Sequence, residues 1–296
     1  MRNTIVANVD TAACPVSRGA ELPSERATEP EFDDLRARIL SALVLGPAAI
    51  GAAIAGGPWI AGAAGAAVVA MAYEWARMSE PSAQRPAFAL ALIATLGAVM
   101  LASRGLSGLA LAWLLAWAGL TAARRRSWVG AAESAFGVLY IGAPAVALLW
   151  VRAQPGWGLD GVLVLFAVIW SADSAAYFGG RLFKGPKLMP RTSPQKTWSG
   201  LAAGCTAGAG AGVVCASLFD GPAFLWLVVG ASLAALGLGG DLFESALKRR
   251  FGVKDASRLI PGHGGVLDRI DGLMAAVTAL ALAAHLAPML RLELFG

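Results

Sequence analysis

The stretch PAFLWLVVGASLAALGLGGDLFESALKRR, residues 222–250, contains the two features that decide how this chain folds. It opens with an uninterrupted apolar run close to the roughly 20 residues that a helix needs to cross the hydrocarbon core of a bilayer. It closes with two carboxylates and three basic side chains. An unbroken apolar run, rather than ten-residue alternation, favours a helix over a barrel strand. The stretch therefore predicts a membrane-spanning helix with a cluster of charged side chains at its C-terminal end.

Similar apolar runs recur along the whole chain. Of its 296 residues 57% are hydrophobic and only 15% are charged, with a mean hydropathy of +0.63. A soluble chain would have about a quarter of its residues charged. We therefore predict an all-α, polytopic integral membrane protein of about nine transmembrane helices. The expected spans are about 39–56, 58–77, 86–103, 106–123, 128–151, 160–181, 200–219, 222–247 and 267–290.

The basic residues predict the orientation of these spans. The N-terminal tail and the connections after the second, fourth, sixth and eighth spans contain 21 of the 24 Lys and Arg residues. Cytoplasmic loops carry such an excess in membrane proteins. We expect a cytoplasmic N-terminus and a multi-pass protein of the cell's inner membrane. The net charge of +5 then reflects topology and anionic lipid headgroups. No nucleic-acid partner is expected.

The chain is expected to divide into three parts. Residues 1–37 mix both charge signs with Pro, Ser and Thr, and predict a disordered cytoplasmic tail. Residues 38–157 would form N-terminal membrane helices of about five spans. Residues 158–296 would form catalytic membrane helices of about four spans with cytoplasmic loops. Three cysteines without a CxxC pair indicate neither a zinc site nor a disulfide framework.

Acids within the expected eighth span are the first candidate site. Asp241, Glu244, Ser245 and Lys248 share one helical stripe because they fall at i, i+3, i+4 and i+7. Hard oxygen donors beside an ammonium suit a hydrated Mg²⁺ next to a phosphate. The alternative is an internal salt bridge between Glu244 and Lys248, which leaves Asp241 unexplained.

Two further clusters lie near the same predicted cytoplasmic side. Asp173 and Tyr177 share a face about two turns before the sixth span ends, where a packing hydrogen bond or an ion pair is the alternative to a functional role. Lys196 and Thr197 directly precede the seventh span. A lysine and a hydroxyl at a helix N-terminus suit phosphate binding, although a simple positively charged loop fits this segment equally well.

The densest charge follows the eighth span, in KRRFGVKDASRLIPGHGGVLDRIDG, residues 248–272. Its basic half is explained by topology, but its acids and His263 are not. The Gly-rich turn offers free backbone N–H groups to an anion, and Asp268 and Asp271 lead the chain back into the membrane. Carboxylates, basic groups and a lipid setting together indicate phosphoryl or nucleotidyl transfer that involves a membrane lipid.

The run from Ser245 to Asp271 closely resembles the signature of phosphatidate cytidylyltransferases, also called CDP-diacylglycerol synthases. The clusters ADSAAYFGGR, SPQKTWSG and GDLFES precede it in the order found in that family. The resemblance covers about residues 165–272. One departure concerns the SPQKTWSG element, where Gln195 and Ser199 stand in places that commonly hold a lysine and an acid. Any role for an acid there is therefore excluded in this chain.

This resemblance implies synthesis of CDP-diacylglycerol and pyrophosphate from CTP and phosphatidate, with Mg²⁺ required and a second cation possible. It implies metal ligands at Asp241 and Asp268, with Asp173 and Glu244 close by. It implies a catalytic set of Asp241, Asp268, Lys248, Lys196 and His263, with His263 orienting or contacting a phosphate. The implied substrate-binding set is Ser193, Lys196, Thr197, Ser245, Lys248, Arg249, Lys254, Asp255, His263, Gly264, Gly265 and Arg269.

The lipid phosphate would be the nucleophile. It is largely ionised at neutral pH, so a general base is not essential. The expected partners are CTP, phosphatidate and membrane lipids, with a homodimer possible. Two alternatives remain open: another lipid phosphate acceptor, such as an isoprenoid phosphate, and an ion-coupled transporter. A transporter predicts acids near the bilayer midplane, whereas these acids lie within about two turns of one face.

Overall fold

The computed structural model describes residues 31–219, 221–257, 259, 264–287 and 294, and for residues 31–42 only the course of the helix. These residues contain nine α-helices, a short 3-10 turn at Pro81–Ala83 and one antiparallel hairpin. The helices are α1 Glu31–Ala55, α2 Gly57–Ser79, α3 Gln84–Ser103, α4 Ser107–Ala123, α5 Trp128–Arg152, α6 Gly158–Leu182, α7 Trp198–Leu218, α8 Ala223–Arg250 and α9 Leu267–Leu286. The hairpin pairs β1 Lys187–Met189 with β2 Ser193–Thr197, between α6 and α7.

The structure confirms an all-α integral membrane protein. Seven helices, α2, α3 and α5 to α9, are long and apolar enough to cross a bilayer. The apolar part of α1, Leu43–Ala55, and the whole of α4 are shorter, so the count of nine spans stays a prediction. Helix α1 begins at Glu31, ahead of the expected tail boundary at residue 37. Residues 1–30 lie outside the described part.

Glycines allow the C-terminal helices to approach each other closely. A Cβ atom at Gly212 of α7 would lie 2.1 Å from the carbonyl oxygen of Trp226 in α8, and one at Gly230 of α8 would lie 2.3 Å from the carbonyl oxygen of Gly208. Neither position has room for a side chain. Small residues at helix interfaces allow this close packing in lipid, and here they bring α7 and α8 into close contact.

The four charged connections contact one another on one face of the helix bundle. Glu80, after α2, pairs with Arg124 and Arg125 after α4, each at 2.5 Å. Glu133, near the start of α5, pairs at 3.0 Å with Arg250 at the end of α8. The Arg249 guanidinium donates to the carbonyl of Thr192 in the hairpin loop at 3.3 Å. Charged side chains in or next to the four basic connections thus contact one another, while the orientation of the helices in the membrane stays a prediction.

Aromatic side chains join the N-terminal helices to the C-terminal ones beneath this face. Trp75 of α2 packs against Phe136 and Tyr140 of α5, and edge-on against Phe251 after α8 with ring centroids 5.4 Å apart. Phe243 of α8 packs edge-on against Phe136 and Tyr140. The end of α8 is therefore held by α2 and α5 as well as by its sequence neighbours.

Candidate active site

The C-terminal parts of α6 and α8, the first turns of α7 and α9 and the hairpin line a cavity of about 690 Å³. Carboxylates and cations line it in equal number. The carboxylates are Asp173, Asp241, Asp268 and Asp271, and the cations are Arg181, Lys187, Lys196 and Arg269. Ser193 and Thr197 line the same cavity. Residues that lie almost a hundred positions apart in the chain, from Asp173 to Asp271, thus meet in one space.

The stripe predicted along α8 is present, and the salt bridge that was its alternative explanation has formed; the magnesium role stays a prediction. Glu244 is 1% exposed and its carboxylate lies 2.6 Å from Lys248 Nζ, as the salt-bridge alternative requires. Lys248 Nζ also lies 2.5 Å from Asp268 Oδ1 on α9, so one ammonium joins two helices. Asp241 faces the cavity, where it pairs with Lys196.

Three acids lie close enough together to hold a cation. One carboxylate oxygen each from Asp241, Glu244 and Asp271 lies within 4.8 Å of the others. Among the described residues, the buried oxygens Glu244 Oε1 and Asp271 Oδ2 have no hydrogen-bond partner, whereas Glu244 Oε2 contacts Lys248. Hard oxygen ligands are those that Mg²⁺ prefers, so these residues fit a divalent cation. Asp271 was predicted from the sequence to lie beside the site, but it was not predicted to be a metal ligand.

Asp268 lies at the junction of this cluster and the loop before α9. Its Oδ1 contacts Lys248, while its Oδ2 accepts hydrogen bonds from the backbone N–H of Gly265 at 2.9 Å and of Ala256 at 3.4 Å. The carboxylate therefore lines the cavity and also holds the loop. Its assignment as a metal ligand stays a prediction.

The hairpin presents Lys196 to the cavity because its second strand runs directly into α7. Thr197 is the N-cap of that helix, and its hydroxyl accepts a hydrogen bond from the N–H of Gly200 at 3.1 Å. Ser199, which stands where relatives of the resembled family commonly have an acid, donates its hydroxyl to the carbonyl of Lys184. In this chain the position serves to hold the connection between α6 and the hairpin.

Some of the predicted binding residues do not line the cavity. Arg249 donates to Thr192 and to Val253, and Lys254 and Asp255 are exposed beyond the end of α8. The other residues of the implied binding set outside the cavity lining are Ser245, Lys248, Gly264 and Gly265. His263 lies outside the described residues. The binding roles of all these residues stay predictions.

Sequence reasoning missed three contributors to this region. Arg181 and Lys187 add positive charge to the cavity, and the Arg181 guanidinium stacks 4.5 Å from the centroid of the Tyr177 ring. Glu74 of α2 is fully buried and accepts three hydrogen bonds from the loop and helix that carry Asp268. A lone acid in an apolar span is unusual enough to mark a candidate, and that signal could have identified Glu74.

Fold and site together define a polytopic helical membrane protein with an acid- and cation-lined cavity at one face of its helix bundle. Comparison with known proteins places it further: the chain belongs to the cytidylyltransferase family, whose model matches residues 36–287. It is 39% identical to the phosphatidate cytidylyltransferase of Brucella suis over 258 residues, 85% of this chain and 93% of that protein. It is 38% identical to the phosphatidate cytidylyltransferase of Pseudomonas aeruginosa over 262 residues, 83% of this chain and 96% of that protein. The family resemblance predicted from residues 165–272 is confirmed.

Proposed function

We propose that this protein is an integral membrane enzyme of phospholipid biosynthesis that makes CDP-diacylglycerol and pyrophosphate from CTP and phosphatidate. The observation that carries the proposal is the convergence of acids and cations on one cavity at the helix ends of a membrane-embedded fold. The names of the relatives that match most of the chain support this choice of substrates.

The reaction joins two phosphates that both carry negative charge. An oxygen of the phosphatidate phosphate attacks the α-phosphorus of CTP, a new P–O bond forms, and the bond from that phosphorus to the bridging oxygen breaks. Pyrophosphate leaves with the electron pair. Arg181, Lys187, Lys196 and Arg269 offset the charge of the phosphates in the cavity. The acceptor is already largely ionised, so no general base is needed, and we assign His263 an orienting or phosphate-contacting role.

Asp241, Glu244 and Asp271 are the residues whose oxygens would hold a divalent cation, because they lie closest together. Asp268 and Asp173 line the same cavity and remain further proposed ligands, so a second cation is compatible with the donor set. When bound, Mg²⁺ would neutralise charge on the triphosphate and on the departing pyrophosphate.

The remaining predicted groups act on the phosphates from the edges of the cavity. We assign Lys196 and Thr197, at the start of α7, to one phosphate. Lys248, Arg249, Lys254 and the loop glycines Gly264 and Gly265 are proposed to hold the other phosphates, with Ser193, Ser245, Asp255 and Arg269 beside them.

We also propose the topology that the sequence predicts. The chain would cross the inner membrane nine times, with the N-terminus and the cavity in the cytoplasm. The charged connections that contact one another carry the basic excess, which supports this orientation. Residues 38–157 would form the N-terminal helices and residues 158–296 the catalytic ones, and a homodimer is a further proposal.

The test is an assay of the purified full-length protein with labelled CTP and a panel of lipid phosphates, with Mg²⁺ and with EDTA. We expect CDP-diacylglycerol from phosphatidate only when Mg²⁺ is present. Asp241→Asn, Asp268→Asn and Asp271→Asn should each lower the rate by about 100-fold or more, the typical effect of removing one electrostatic group from a transition state. Glu133→Gln is the matched control, since that acid pairs with Arg250 outside the cavity.

Two results would contradict the proposal. Turnover of a polyprenyl phosphate but not of phosphatidate would show that the acceptor is wrong. Unchanged rates in both Asp241→Asn and Asp268→Asn would show that the proposed carboxylate site is wrong.

A further inference from the structure

Glu74 is a charged residue in an otherwise apolar part of α2. From Gly57 to Tyr73 the helix contains no charged side chain, and the Glu74 side chain is 0% exposed. A buried carboxylate in a membrane protein is costly unless its oxygens are satisfied. The role of Glu74 must therefore be inferred from the groups that contact its carboxylate.

Three donors from the other end of the chain converge on this carboxylate. Oε1 accepts a hydrogen bond from the Ser257 hydroxyl at 2.5 Å and from the backbone N–H of Val266 at 2.8 Å. Oε2 accepts from the backbone N–H of Leu267 at 2.8 Å. Ser257 lies within the loop after α8, whereas Val266 and Leu267 lie at the start of α9, so one carboxylate joins the loop to the first turn of α9.

The two backbone donors are groups that α9 cannot satisfy internally. The first N–H groups of a helix have no intrahelical partner, and a negative charge beside them also interacts favourably with the helix dipole. Hydrogen bonds to an ionised acceptor are roughly twice as strong as neutral ones. Glu74 thus supplies from α2 the N-terminal cap that α9 lacks in its own sequence, where Val266 makes no side-chain cap bond.

The capped turn is the one that carries the acids of the candidate site. Leu267 directly precedes Asp268, and Asp271 follows one turn later. The backbone before them is also packed against the acid: a Cβ atom at Gly265 would lie 2.8 Å from Glu74 Oε1. Because Gly265 N–H in turn donates to Asp268 Oδ2 at 2.9 Å, the location of the Asp268 carboxylate depends on where Glu74 holds the loop.

We infer that Glu74 is a positioning residue for the active site: it fixes the first turn of α9, and through it Asp268 and Asp271, although it does not line the cavity. The catalytic consequence rests on the proposed cytidylyl transfer. The anchoring of α9 by Glu74 does not depend on that function, and it can be measured without an activity assay.

The informative variant is Glu74→Gln. The amide keeps the shape of the side chain, but its NH₂ group cannot accept the hydrogen bond from Leu267. A displacement of about 1 Å at reacting groups lowers rates by about 100-fold, so we expect a loss of that order in kcat. We also expect a higher Mg²⁺ concentration for half-maximal rate and a nearly unchanged KM for phosphatidate. Ser257→Ala removes one donor of three and should cause a smaller loss, about tenfold.

The matched control is Glu80→Gln, on the same side of the bundle just after α2. Glu80 is also buried, but it pairs with Arg124, Arg125 and Ser134. Its loss should lower stability without changing the Mg²⁺ requirement. A merely structural role for Glu74 would make the two variants alike.

The second measurement is amide hydrogen–deuterium exchange of the full-length protein in detergent micelles. Glu74→Gln should accelerate exchange in residues 264–272 and leave α6 unchanged, whereas Glu80→Gln should not affect residues 264–272. If Glu74→Gln does not fold, faster exchange of the same residues in Ser257→Ala supports the inference. If every folded variant shows wild-type exchange rates in residues 264–272, the inference is wrong. A wild-type protein that makes no CDP-diacylglycerol would refute the enzymatic function, and the exchange data would still decide the anchoring.

Discussion

Replacing Lys248 by methionine should destabilise the protein strongly, because this ammonium separates two buried carboxylates. Its Nζ lies 2.6 Å from Glu244 and 2.5 Å from Asp268, and these side chains are 1% and 10% exposed. The two carboxylate oxygens are therefore at most about 5 Å apart, and at an effective dielectric constant of about 20 two like charges at that distance repel by about 3 kcal/mol. Removing one partner of a buried charge pair typically costs about 3–5 kcal/mol. We expect Lys248→Met to lower the free energy of unfolding by that amount.

The assay is reversible unfolding of the full-length protein in mixed micelles with rising SDS, followed by tryptophan fluorescence. Arg250→Met is the matched control, two residues further along the same helix. Arg250 is 57% exposed in its pair with Glu133, so its loss should cost less than about 1 kcal/mol. The double variant Lys248→Met with Glu244→Gln should recover part of the loss, because it removes one of the two facing charges. A Lys248→Met protein within about 1 kcal/mol of wild type, or a double variant no more stable than the single one, would refute this reasoning.

Two further predictions concern the packing and capping that position the cavity. Gly212→Ala should destabilise by about 1–3 kcal/mol, because its Cβ would meet the Trp226 carbonyl. Gly210→Ala on the same helix has open space at its Cβ and should change stability by less than about 0.5 kcal/mol; equal effects in SDS unfolding would contradict the packing argument. Thr197→Ala should lose about 0.5–2 kcal/mol of stability through the lost N-cap bond to Gly200. Thr197→Ser retains a hydroxyl and should restore most of it; a Ser variant as unstable as Ala would exclude the capping role.

The fold was predictable because few backbone structures can span a lipid bilayer. Apolar runs of the right length between turn-forming and charged connections indicated every helix of the described region, from α1 to α9. The ends were less predictable, since a helix can continue past the lipid boundary on polar residues. Helix α8 extends to Arg250, past the limit at about residue 247 expected from the sequence. The hairpin at Lys187–Thr197 was expected only as a charged connection without strands.

The site was predictable where helical spacing fixed the geometry and unpredictable where it depended on tertiary contacts. The stripe of Asp241, Glu244 and Lys248 follows from helical periodicity alone. Spacing cannot show that Lys248 contacts Asp268, 20 positions later, or that a carboxylate oxygen of Asp271 lies within 4.8 Å of one from Asp241 and one from Glu244. The contact of Glu74 with Leu267 spans 193 positions, and only the packing of α2 against α9 produces it.

Burial divides the charged groups of this region into two sets with different consequences. On the α8–α9 side, Glu244, Lys248 and Asp268 are largely inaccessible and bonded to one another, and Glu74 fixes the turn that carries Asp268. On the α6–hairpin side, Arg181 and Lys187 are exposed, and Arg181 stacks on the exposed ring of Tyr177. Reorganising a buried charge network is expensive, whereas exposed long side chains move at little cost. The buried acids on the α8–α9 side are therefore preorganised before substrate binds, and the exposed cations are the groups that can adjust to a triphosphate. Substitutions at Glu74 or Lys248 should affect the rate and the stability. Substitutions at Lys187 should instead affect KM for CTP.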